Sequence, residues 1–192
     1  MQTPSPRPTK TSGFSLLEIV VAISIIAILV GVVGFRSGSA VQRGQASSIV
    51  QLVKTLEKAA LTHYGDTGRY AREYAVHRGA QHRHLSGTQT YNGWAGPYIE
   101  RPLARDDSNP FGDLNLYNTL TPGNWISGYD LDGDGTIETS GDGCTLYLRG
   151  VPEEVVQQLD NTLDGGIPGD WFTTGRVVWL ENTDRTLVYI FK

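Results

Sequence analysis

Cysteine is nearly absent from this chain of 192 residues: Cys144 stands alone, so no intramolecular disulfide can form. Whatever closes the carboxy-terminal loops must be something else. The familiar catalytic signatures are missing too, with no Walker glycine loop, no HExxH, no nucleophile elbow and no convincing His-Asp-Ser set. Cys144 lacks a sequence-evident histidine partner and reads as a small buried residue at the start of a strand. Excess positive charge is also lacking. The net charge is −4, and residues 65–192 hold 10 Lys and Arg against 18 Asp and Glu, which argues against binding a phosphate backbone. No nucleic-acid partner is expected.

What the chain does have is one long apolar run. Phe14 to Phe35 is 22 residues with a single ionisable side chain, Glu18, and about 20 apolar residues suffice to cross a hydrocarbon core as helix. A cleaved secretory signal would be shorter and would end at a small-residue site, whereas this run continues straight into helix-forming sequence. An acid inside a bilayer costs a few kcal/mol and should have a partner. Before the run, residues 1–13 are polar and hold three prolines, so they are extended. Arg7 and Lys10 there are matched by Arg36 and Arg43 beyond the run, so the charge rule for orientation is nearly neutral.

Beyond the run, Ala46, Ile49, Val53, Leu56, Ala60 and Tyr64 recur at three- and four-residue spacing, while Ser47, Gln51, Lys54 and Lys58 face away. The spacing predicts an amphipathic helix, continuous with the span or broken near Gly38 or Gly44. It stops in Tyr64-Gly65-Asp66-Thr67-Gly68, where glycines supply turn conformations. Ala71 to Gly93 reads as a solvated loop or short helix, and its His77, His82 and His84 as solvated rather than metal-binding, since arginines flank them and no cysteine joins them. Cys144–Arg149, Arg176–Glu181 and Thr186–Phe191 read as strands, the last two joined by a loop at Asn182–Arg185. Pro152 opens a short helix that Asp164-Gly165-Gly166 ends. The fold class is α+β: a long amino-terminal helix on a small antiparallel sheet of about three strands. The divisions are a leader at 1–13, a membrane-spanning helix at 14–36, an amphipathic helix at 37–64 and a head at 65–192.

Tyr129-Asp130-Leu131-Asp132-Gly133-Asp134-Gly135-Thr136-Ile137-Glu138 sets three carboxylates at alternate positions before a glycine. Calcium takes six to eight oxygens, and this pattern turns side chains inward around it. Asp130, Asp132 and Asp134 match the first three ligand positions of an EF-hand-type loop, and the Thr136 carbonyl the next. The twelfth position is Gly141, so Glu138 or Asp142 would have to close the site in another geometry. The alternative is a hydrated Asp-Gly turn.

Gly13-Phe14-Ser15-Leu16-Leu17-Glu18, behind a polar leader with two basic residues, resembles the processing site of type IV pilins and pseudopilins. The resemblance implies that a prepilin peptidase cuts after Gly13 and methylates Phe14. It also implies that Glu18 pairs with a neighbouring subunit's amino terminus during self-assembly at an inner-membrane platform, with the head in the periplasm. Trp94-Ala95-Gly96-Pro97-Tyr98 and Asn109-Pro110-Phe111-Gly112 look like segments of type II secretion pseudopilins, and that family's carboxy-terminal loops bind calcium. The implied role is a non-enzymatic filament subunit. The alternatives are a minor pilin for adhesion or competence, or an unrelated binding or enzymatic domain on a membrane anchor.

Overall fold

The structure, a computed structural model, describes residues 14–77, 80–103, 111–165 and 167–192; at 32–39, 75–77, 80 and 81 it describes the backbone alone. The chain falls into two units, Met1–Val41 and Gln42–Lys192. Helix α1, Leu16–Thr67, runs through both, and the backbone is helical at Gly38 and Gly44.

In the first unit the side chains from Phe14 to Val30 are exposed, most of them large and apolar. Among described side chains, which in this run reach only Gly31, no helix is long and apolar enough to cross a membrane. The run read from the sequence continues to Phe35.

In the second unit the stripe predicted on α1 is the core face. Ala46, Ile49, Val53, Leu56 and Ala60 are buried, Ala59 and His63 widen the stripe on one flank and Val50 on the other, and Tyr64 sits at its edge. Each fully buried aliphatic side chain of this kind contributes roughly 1.5–3 kcal/mol. The helix passes through Gly65 and ends two residues later. Gly68, at φ +67°, donates its N–H to the Tyr64 carbonyl at 2.7 Å, which is the left-handed cap that stops a helix.

Six strands form the sheet: β1 (Glu73–His77), β2 (Ala80–Arg83), β3 (Leu114–Thr119), β4 (Asp142–Arg149), β5 (Val177–Leu180) and β6 (Arg185–Phe191), in the order β2-β1-β3-β4-β6-β5 and antiparallel throughout. The expected three strands are β4, β5 and β6. The Ala71–Gly93 stretch, expected as loop or short helix, instead contributes the hairpin β1–β2. Glu73 explains part of this: its fully buried carboxylate accepts the amides of Leu85 (2.9 Å) and Ser86 (3.3 Å) and the Ser86 hydroxyl, with Arg83 at 3.7 Å. A buried charge satisfied this fully can occupy a strand that its own propensity would not predict.

Strand alternation gives the sheet two apolar faces. Leu146 and Leu148 of β4 and Val188 and Ile190 of β6 join the α1 stripe, together with Val155, Val156 and Leu159 of helix α2 (Glu153–Leu163). Tyr147 and Leu187 point the other way and pack with Leu120, Tyr129 and Val178. Pro152 is the residue before the first turn of α2 rather than the first helical one. The β5–β6 connection is Glu181–Asp184, one residue earlier than expected, because Arg185 already pairs with both Leu180 and Arg149. Cys144 is buried with its thiol toward the Ala71 carbonyl at 3.7 Å, and burial pushes that thiol up to about 12. It is inert packing.

Candidate functional site

At the start of α1, Ser15 and Glu18 satisfy one another's backbone. The Glu18 N–H donates to Ser15 Oγ at 3.2 Å, and the Ser15 N–H donates to Glu18 Oε2 at 3.3 Å. This is a capping box, in which a Ser three residues before a Glu covers two helix-end donors reciprocally. Among the described residues only one oxygen of Glu18 is used, which leaves the other to face a cation. Phe14, next to this cap, is exposed; Gly13 lies outside the described residues.

The acidic loop lies between the bridged residues Tyr129 and Thr139, whose backbones pair at 2.9 Å. Within it, one oxygen each of Asp130, Asp132, Asp134 and Glu138 lie within 4.8 Å of one another. Calcium–oxygen bonds of 2.3–2.6 Å place opposed ligands roughly 4.6–5.2 Å apart, so the spacing of these four oxygens is of the size of one calcium sphere. The loop is preset by its own amides. Asp130, nearly buried, accepts Gly133 N–H at 2.7 Å and Gly135 N–H at 2.9 Å; Asp132 accepts Asp134 N–H at 3.1 Å; Glu138 accepts Leu131 N–H. The Thr136 amide and hydroxyl bond to Asp134 and hold its carboxyl below the usual range, so it stays ionised. Gly133, at φ +77°, has no room for a side chain, since a Cβ would meet the Pro168 carbonyl at 1.8 Å. Glu138 is the fourth carboxylate of the cluster. Asp142 is not among its members and opens β4.

Residues 8–34 match the family model of the prokaryotic N-terminal methylation motif. The chain carries the prepilin-type signal of type IV pilin-like proteins. Neither a curated protein nor a solved structure matches it. The matched residues span the Gly13–Phe14 bond and Glu18, and stop well short of the acidic loop.

The Trp94–Ile99 segment holds the end of α1. The Tyr98 hydroxyl donates to Asp66 Oδ2 at 2.9 Å, its backbone N–H donates to the Leu85 carbonyl at 2.7 Å, and Trp94 Nε1 donates to the His84 carbonyl at 3.1 Å. His63, buried on α1, has the Tyr91 hydroxyl at 2.6 Å from Nε2 and the Arg69 carbonyl at 2.9 Å from Nδ1, and its ring meets His84 at 6.1 Å. Sequence reasoning missed His63, although it falls on the buried side of the helical period. His84 is structural rather than solvated: its Nδ1 accepts the Arg72 N–H at 3.3 Å, a role open only to the neutral ring. His82 packs against Tyr74 at 4.8 Å, and the His77 side chain lies outside the described residues. Asn109-Pro110 lies outside them as well; Phe111 packs on the core.

Burial, then His63, His82, Arg72 and Arg69, push His84 down to about 4. A histidine with a depressed folded-state pKa contributes stability that is present above its unfolded value and lost as pH falls toward the folded one. Denaturant titrations from pH 7.5 to 4 should show the stability difference between parent and His84→Gln shrinking from about pH 6.5 downward. Asp160, pushed up to about 6 by burial and then by Asp164, works in the opposite sense, its contribution being lost as pH rises through 6. It is common to both proteins and cancels in the difference. A difference independent of pH would mean that His84 is as easily charged as a free imidazole.

Proposed function

We propose that this chain is a structural subunit of a type IV pilus-like filament, most like a type II secretion pseudopilin. A prepilin peptidase cuts between Gly13 and Phe14 and methylates the new amine, and the apolar run to Phe35 then holds the protein in the inner membrane with its head in the periplasm. Subunits leave an assembly platform in that membrane to join a filament through their amino-terminal helices. The observation that carries this reading is the methylation motif over the cleavage edge. Proteins with this motif are in general structural subunits and not enzymes. The capping box adds support, because a helix that begins firmly at Leu16 leaves the mature amine of Phe14 two residues outside it.

The acidic loop would hold calcium through Asp130, Asp132, Asp134 and Glu138, with the Thr136 carbonyl as a further oxygen. The ion would supply there what a disulfide supplies elsewhere, a clamp on a long connection. The donor set supports this, being all hard oxygen and compact enough for one ion.

Intact-mass measurement of membrane-extracted protein is expected to give a chain from Phe14 to Lys192 with one added methyl group. Gly13→Arg should leave the leader attached, since a bulky cation then sits beside the scissile bond. A mass spanning Met1 to Lys192 in the parent, or a cut near Gly34, would overturn the filament reading.

A further inference from the structure

The acidic loop and the amino-terminal edge leave one built feature of the head without a role. A surface cavity of about 420 Å³ opens beside the β5–β6 connection, walled by Trp125, Phe172 and Trp179 and rimmed by Glu181, Asn182 and Arg185. That volume lies within the range of small-molecule sites.

Its walls are aromatic and held in place. Trp125 packs on Tyr147 with ring centroids 5.3 Å apart and carries the Arg185 guanidinium 4.2 Å above its ring. Trp179 stacks on Trp171 at 5.5 Å, and its backbone N–H donates to the Phe172 carbonyl at 2.9 Å, which fixes the Phe172 segment along β5. Phe172 nevertheless remains 39 % exposed. The indole N–H of Trp179 is buried with no acceptor among the described residues. On the rim, the Glu181 carboxylate and the Asn182 amide make no side-chain hydrogen bond to described residues, and Arg185 has no ion pair among them.

We propose that this cavity binds a neutral sugar ring. The exposed Phe172 ring offers a face to the C–H side of a pyranose, and the Glu181 carboxylate, the Asn182 amide and the in-plane N–H groups of Arg185 match the hydroxyls on its edge. The opposite charges of Glu181 and Arg185 cancel, which favours an uncharged ligand over an anion or a cation. The assignment stands apart from the filament reading, since it uses only residues of the Gln42–Lys192 unit and needs no assembly.

The test is saturation-transfer NMR and tryptophan-fluorescence titration of the full chain in lauryldimethylamine oxide, a detergent without a sugar head group. The probes are methyl β-galactopyranoside, methyl β-glucopyranoside and N-acetylglucosamine. At least one should bind and perturb tryptophan emission. Glu181→Ala and Asn182→Ala, both surface changes, should each weaken it about fivefold, the loss of one hydrogen bond, with an unchanged thermal midpoint. Phe172→Ala should weaken it similarly through lost ring contact. Failure of all three sugars to bind at millimolar concentration would overturn the proposal. So would binding that none of the three variants alters, or displacement of the sugar by an uncharged proline-rich peptide that binds the walls more tightly.

Discussion

Glu18→Gln is expected to be processed and inserted like the parent yet to disappear from assembled filaments, whereas Glu18→Ala should lose filaments and also loosen the start of α1. The distinction rests on the capping box. Glutamine at the third helical position can still accept the Ser15 N–H, so the helix keeps its start and only the charge is gone. Alanine removes both, and losing a cap costs about 0.5–2 kcal/mol of helix stability. If the carboxylate serves an amino terminus on a neighbouring subunit, the charge is the property that counts. Either substitution makes the apolar run cheaper to insert by removing an acid from it, so poor insertion is not the expected cause of failure. The measurement is the ratio of sheared-filament to membrane-bound protein for parent, Gln and Ala chains. Normal assembly of the Gln variant beside failure of the Ala variant would reduce Glu18 to a helix cap.

The amphipathic stripe was legible because burial follows the helical period: Ile49, Val53 and Leu56 are spaced for one face, and that face is the core. β4 and β6 were legible for the same reason at period two, with Leu146 and Leu148 facing the helices and Tyr147 facing away. β1, β2 and β3 were not. Glu73-Tyr74-Ala75-Val76-His77 and Ala80-Gln81-His82-Arg83 are short and mixed in polarity, and the register Glu73 to Leu116 that draws β1 to β3 is a contact across more than forty residues. Such pairing comes from tertiary context, which local propensity cannot report. The same limit applies to Glu73, whose partners at Leu85 and Ser86 are invisible until the hairpin exists.

At the sites, the sequence carried the chemistry and the structure the closure. The spacing Gly13-Phe14 and Glu18 pointed to the methylation motif without any coordinates, but not to the use of Glu18 as a cap, because Ser15 was read as one more residue of the run. For the acidic loop, alternation named Asp130, Asp132 and Asp134. The choice between Glu138 and Asp142 depended on where the chain turns. Beside the Tyr129–Thr139 bridge Glu138 lies with the three aspartates in one carboxylate cluster, while Asp142 enters β4, and which of the two would hold an ion is left to the calcium experiment. The aromatic cavity was not legible at all, since Trp125, Phe172 and Trp179 come from three separate segments.

Calcium at millimolar concentration is expected to raise the thermal midpoint of the fragment 37–192 relative to excess chelator, and Asp132→Ala is expected to abolish the rise. Without an ion, four carboxylates share a space in which their oxygens lie within 4.8 Å, and like charges at that distance oppose the folded loop. An ion removes the repulsion and adds its own bonds. With free calcium at 100 times its dissociation constant, binding to the folded state alone contributes about 2.7 kcal/mol, which for a domain of this size is a rise of roughly 5–10 °C. The gain should spread beyond the loop. The Asp130 carbonyl accepts the Gly175 N–H at 2.6 Å, and Gly133 packs on the Pro168 carbonyl, so the 167–175 segment is fastened to the same turn. That segment leads into Arg176 and Val177, whose amides are held by Asp164 at 2.8 and 2.9 Å, and so into the edge strand β5. Amide exchange should therefore slow on calcium addition at 167–177 as well as at 130–138. Asp132 is exposed, and among the described residues its carboxylate accepts only the Asp134 N–H, so its loss should leave the chelated protein unchanged or slightly more stable. A parent midpoint indifferent to calcium would identify the run as surface charge. A calcium response that survives Asp132→Ala would place the ion elsewhere in the head.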